Sequence, residues 1–248
     1  MTDPIAAAGD QASTRFDLAA RIAGAIGARS MAEIGVFRGE FAEHMLRACP
    51  EIESYWMIDP WRHLGGWDKP ANVADDVFQD YHDETMARTD FAADRRHVLR
   101  GTTQEVIAQI PEASLDMAYI DGDHTLRGIT IDLKEVLPRM RPGGVILGDD
   151  FCRNVWQHGT EFAPSQVFPY ALYFAEAHGL PAYTFRQRQF AIVVDPSAGF
   201  TCTDLGNYGR LDIREVYLPR TPSASPLRPE EPRVARASVL DRVKRLLR

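Results

Sequence analysis

The sequence predicts an α/β fold: a doubly wound, mostly parallel sheet that ends in an antiparallel hairpin. Three observations carry this. Short apolar runs alternate with segments of helical spacing from about residue 28 to 147. Glycines and acids stand directly after those runs, where strands hand over to helices. Two further apolar runs, 182–185 and 190–194, are separated by only four residues, Arg186-Gln187-Arg188-Gln189. Alternation of strand and helix implies right-handed crossovers with helices on both faces, and the short connection implies a hairpin.

The elements follow in order. Residues 1–12 are small and polar and are expected to fray. Ser13 or Thr14 caps a helix over 15–27, with Phe16, Leu18, Ala19, Ile22 and Ile26 at helical spacing and Gly27 at its end. Met31 to Val36 reads as a buried strand and 39–48 as a helix. Further strands are read at 54–58, 97–99, 115–120 and 145–147, with a helix over 126–139, a turn at Pro142-Gly143-Gly144 and a helix near 166–178.

Domain organisation is read as one domain over 1–218, with a core at 28–196 and an insertion at 61–94. The insertion is polar and aromatic, with Trp61, Trp67, Phe78 and Tyr81, and insertions at strand ends are often lids or substrate walls. Residues 219–233 hold five prolines and read as an extended linker. Residues 234–248 read as a basic amphipathic helix, suited to an anionic membrane surface or to packing on its own domain or a partner subunit.

Composition excludes several classes. The 248 residues are 45% hydrophobic and 25% charged, as in globular proteins, and no apolar run is long enough to span a membrane. The net charge of −7 makes the body a poor nucleic-acid binder. Cys49, Cys152 and Cys202 are widely spaced, so neither a disulfide framework nor a thiolate zinc site is expected. The N-terminus lacks the pattern of a secretory signal, and a cytoplasmic location is expected.

The chemistry-bearing residues cluster at strand ends. After the first strand stands Glu33-Ile-Gly35-Val-Phe-Arg-Gly39. Gly35 allows a sharp turn and close approach of a ligand, and Gly39 opens the next helix. The spacing differs from the G-x-G-x-x-G of dinucleotide sites. Asp59 ends the second strand, where a carboxylate accepts ribose hydroxyls, and Trp61 is placed to cover an adenine face. The fourth strand ends in Asp121-Gly-Asp123-His124 and the fifth in Asp149-Asp150. Neighbouring strands bring Asp121, Asp149 and Asp150 together, an all-oxygen set suited to Mg²⁺. His124 or Asp123 is placed to take a proton from a metal-bound hydroxyl. Asp123 is equally suited to capping the following helix.

These motifs together resemble the class I S-adenosylmethionine-dependent methyltransferases, a Rossmann-like fold, and within them the macrocin-type and catechol O-methyltransferase-like bacterial enzymes. The similarity spans about 28–196. It implies the cofactor's methionyl end over Gly35 beside Glu33, its ribose on Asp59 and its adenine beside Thr102, with Asp121 in the same site. It implies Mg²⁺ on Asp121, Asp149 and Asp150, and His124 as proton acceptor. The acid usual beside the adenine is absent, and Thr102 and Thr103 stand there instead. The expected function is methylation of a hydroxyl on a small molecule with a vicinal diol, a sugar or catechol, with assembly as a homo-oligomer left open. Two alternatives stand beside it: a glycosyltransferase using Asp121-Gly-Asp123 as a metal-binding D-x-D, and a non-catalytic nucleoside-binding module.

Overall fold

A computed structural model describes residues 3–218. The expected linker over 219–233 and basic helix over 234–248 lie outside the described residues. The strands are β1 (Ser30–Ile34), β2 (Ser54–Asp59), β3 (Arg96–Arg100), β4 (Leu115–Ile120), β5 (Met140–Gly148), β6 (Ala182–Phe185), β7 (Gln189–Val193) and β8 (Cys202–Asp204). They form one sheet in the order β3-β2-β1-β4-β5-β7-β6-β8. Pairing is parallel from β3 through β5, antiparallel at β5–β7 and β6–β7, and parallel again at β6–β8. Strand order reverses between β1 and β4, which opens a crevice at their carboxyl ends.

The helices are α1 (Pro4–Gln11), α2 (Arg15–Ile26), α3 (Glu40–Ala48), α4 (Asp75–Arg88), α5 (Thr103–Val106), α6 (Leu126–Val136), α7 (Val167–Ala177) and α8 (Ile213–Tyr217). Because successive strand side chains point to opposite faces, the core splits in two. Ala32, Ile34, Ala118 and Ile146 pack with Ile129, Leu133 and Ala171 on one face. Met31, Met57, Met117 and Val145 pack with Leu18, Ile22 and Met45 on the other. Among the described residues no helix is long and apolar enough to cross a membrane.

Three elements differ from the sequence reading. The start of the chain, expected to fray, is helix α1: Asp3 caps it by accepting the N–H groups of Ile5 and Ala6, Pro4 opens it, and Ile5 and Ala8 are buried. An aspartate followed by proline is a strong start signal, and Tyr183 fastens it by donating to Asp3 at 2.7 Å. The Pro142-Gly143-Gly144 turn lies within β5, where the register with β4 jumps from Leu115–Met140 to Met117–Val145. Strand β8 was not foreseen, being only three residues without an apolar pattern.

Candidate active site

A cavity of about 820 Å³ opens at the carboxyl ends of β1, β2, β3 and β4, within the roughly 300–1,000 Å³ of small-molecule sites. Its floor is the turn from β1 to α3. Gly35 has φ +87°, and a Cβ there would overlap the carbonyl oxygen of Asp121, so no other residue fits without displacing the end of β4. Gly39 caps α3 with φ 74°, also left-handed. Asp59 organises the turn between them. Its Oδ2 accepts the N–H groups of Val36 (3.0 Å) and Phe37 (2.8 Å), and its Oδ1 accepts that of Trp61 (2.7 Å). Burial raises this carboxyl, and the three backbone donors oppose the rise.

Glu33 stands in the cavity wall, 1% exposed, and accepts a hydrogen bond from the Tyr55 hydroxyl at 2.7 Å. Burial holds its carboxyl well above the usual range. At the far end, Thr102 lines the cavity and is fixed by Glu105, whose carboxylate accepts its N–H at 2.8 Å. That backbone bond and the ion pair with Arg62 hold Glu105 down at about 2. Trp61 does not reach the cavity. Its N–H is held by Asp59, its φ is 40°, and its indole is fully buried, donating to the Phe37 carbonyl at 2.8 Å. The adenine-covering role expected of Trp61 is therefore corrected: the ring supports the turn from below. Trp67 is the indole in the wall.

The ends of β4 and β5 carry the charged half. Asp121 lines the cavity, and Arg15 at the start of α2 donates to its Oδ2 at 3.1 Å. The same guanidinium contacts Asp149. Asp149 is 5% exposed, is absent from the cavity wall, and accepts from the Gln189 side chain and the Asp150 N–H. Asp150 has φ 55°, and its carboxylate turns to His124 (Oδ2 to Nδ1, 2.6 Å) and Gln157 (2.6 Å). The expected Mg²⁺ trio is thus not assembled: Asp121 and Asp149 share an arginine, and Asp150 points elsewhere. With Asp149 buried and saturated by donors, the three do not fit an ion that demands six oxygens in octahedral array.

Asp123 lines the cavity and is also engaged in its own turn. Its Oδ1 accepts from the Thr125 N–H (2.9 Å) and the Trp67 indole (3.0 Å), and its Oδ2 from the Thr125 hydroxyl (2.9 Å). It ties the turn while Thr125 caps α6. His124 remains at the cavity, with Asp150 on Nδ1 and Asp121 3.4 Å from Nε2. Nε2 is buried without a well-formed hydrogen bond. Burial works against its charge, but the two carboxylates outweigh it and hold the imidazolium up at about 10.

Among the cavity residues that escaped the sequence reading are Arg15, Lys69, Asp132 and His158. Lys69 is buried and donates to the Ala163 carbonyl (2.7 Å) and Ser165 hydroxyl (3.1 Å), joining the 61–94 insertion to the segment after β5. Asp132 on α6 meets the Thr103 hydroxyl at 2.5 Å, and burial pushes its carboxyl up to about 7. Only the DGDH cluster signalled this region, and none of the four carries a local motif.

Residues 32–151 match the family model described as a methyltransferase domain. The uncharacterized protein y4gI of Sinorhizobium fredii (strain NBRC 101917 / NGR234) is 32% identical over 81 residues, which is 29% of this chain and 9% of that protein, so the match spans under a tenth of its length. Among solved structures, cofactor-bound Rv0187 from MTB aligns with a TM-score of 0.54 at 21% identity, over 79% of this chain and 91% of that one. The O-methyltransferase from Bacillus cereus in complex with SAH aligns at 0.51 and 20%, over 76% and 86%. The SAH-bound methyltransferase PaMTH1 of Podospora anserina aligns at 0.50 and 14%, over 77% and 88%. At these identities the likeness is one of fold.

Proposed function

We infer that this chain, whose residues 32–151 match a methyltransferase domain, moves a methyl group from S-adenosylmethionine to a hydroxyl of a small molecule. One observation carries the reading: the glycine turn of β1 and the His124 cluster of β4 open into one cavity. The residues fit the cofactor. Gly35 makes the left-handed turn in the cavity wall, packed against the Asp121 backbone with no side chain of its own. Glu33 is a buried acid in the same wall. These two, with Asp59, Asp121 and Thr102, would hold it. When bound it supplies an electrophilic methyl on a positively charged sulfur.

The chain's own residues do the rest. The Asp59 carboxylate fixes the backbone amides of Val36 and Phe37 and so the shape of the floor. Asp150 orients the His124 ring through Nδ1, and Nε2, buried beside Asp121, must be uncovered to meet the acceptor hydroxyl. Because His124 holds its second proton up to about pH 10, it must lose that proton to solvent before it can accept one from the acceptor. Mg²⁺ assistance and the vicinal diol that it would chelate are not part of this reading, since Arg15 stands between Asp121 and Asp149 and Asp150 is engaged by His124 and Gln157; one hydroxyl suffices.

The D-x-D alternative is disfavoured because both oxygens of Asp123 are engaged within its own turn and with Trp67. Calorimetry with S-adenosylhomocysteine, followed by radiolabelled methyl transfer to a panel of alcohols and phenols, tests the proposal. Saturable heat and labelled ether product are expected. Heat without turnover on any acceptor would favour the nucleoside-binding module, and no heat from folded protein would remove the cofactor.

A further inference from the structure

We propose that Arg15 is a positioning residue that takes the place of a divalent metal at the ends of β4 and β5, so that transfer in this protein needs no metal ion. The inference rests on the methyltransferase reading above. Asp121 and Asp149 follow paired positions of two parallel strands, Ile120 and Gly148. Two carboxylates so placed repel unless a cation stands between them. The cation present is a side chain: the Arg15 Nη1 lies 3.1 Å from Asp121 and contacts Asp149.

Its arrival is built into the fold. Thr14 accepts the Asp17 N–H at 3.1 Å and so caps α2, which sets Arg15 as the first helical residue. The segment ahead of it is pinned to the β6–β7 hairpin, where Gln187 donates to the Ala12 carbonyl at 2.8 Å and Tyr183 to Asp3. Gln189 on β7 holds the other side of Asp149. The hairpin and the N-terminal helices therefore close around Asp149 together. A guanidinium offers fixed, planar donors to two carboxylates and never loses its charge near neutral pH. It steadies Asp121, which in turn faces Nε2 of His124.

Full-length protein treated with chelator, then titrated with Mn²⁺ by calorimetry and thermal melting, tests this. Wild type is expected to bind no Mn²⁺ that depends on Asp149, whatever His124, Asp150 and His158 hold, and to keep its transfer rate in EDTA. Arg15→Ala is expected to gain one Mn²⁺ per chain and a Tm rise of about 3–8 °C at saturation, and to lose both when Asp149 is also changed to Ala. A merely structural arginine would create no metal site on removal. Arg15→Gln serves if Arg15→Ala does not fold. Stoichiometric Mn²⁺ binding by wild type that is lost in Asp149→Ala, loss of wild-type activity in EDTA, or no gained site in either variant overturns the proposal. S-adenosylhomocysteine binding by wild type reads the cofactor assignment separately, so either idea can fail alone.

Discussion

The two halves of the cavity are held together by different forces. The floor at β1 and β2 is backbone-built: a left-handed glycine, a second one at the start of α3, and an aspartate whose oxygens are taken by three main-chain N–H groups. The half at β4 and β5 is charge-built: Asp121, Asp149 and Asp150 are balanced by Arg15 and His124, through ion pairs between side chains. A backbone-built floor tolerates little change of shape. A charge-built wall tolerates change of shape but responds to pH and to loss of a single partner.

The largest effect should come from the floor. Gly35→Ala would force an alanine into φ +87° and against the Asp121 carbonyl, at about 2–5 kcal/mol from strain and overpacking. Loss of S-adenosylhomocysteine heat together with a lower midpoint in urea is expected, and wild-type affinity in this variant would show that the floor is not where the cofactor lies. In the charged half, His124→Gln is expected to lower kcat by roughly 10²–10⁴-fold while leaving cofactor affinity unchanged. With His124 at about 10, the wild-type rate should climb steadily toward alkaline pH; a flat profile across neutrality would take the proton-accepting role away from it.

Asp59→Asn places an amide donor opposite a backbone donor. The buried charged hydrogen bonds at stake are each worth about 1.5–3 kcal/mol, so cofactor affinity should fall with kcat nearly intact at saturation. An opposite split would move Asp59 to the chemistry. The smallest effect is expected at Asp132, whose folded pKa of about 7 lies above an unfolded value near 4. Between those values the native state binds more protons than the unfolded chain, so stability falls as pH rises through the window. Asp132→Asn should therefore gain about 2–6 °C in Tm over wild type in alkaline buffer and little in acid; equal shifts at both ends would mean that the carboxyl is ionised throughout.

Much of this was legible from local pattern. The alternation of apolar runs with helical spacing gave the parallel sheet, because strand and helix periodicities are properties of neighbouring residues. Gly35, Gly39 and Asp59 were legible because a turn and the acid that satisfies its amides follow directly from strand ends. Trp61 was misread because its orientation hangs on a left-handed backbone that no residue type announced. Asp123 was read both ways, and the structure shows it tying its own turn.

Sequence by itself determined the class of fold, the crevice at the switch point and the acids that line it, since these depend on spacings of a few residues. Only the tertiary structure decided what balances those acids. Arg15 meets Asp121 across 106 positions of chain, and Gln189 meets Asp149 across 40. Contacts that distant are set by how helices and hairpin dock on the sheet, and nothing in the residues beside them records the outcome.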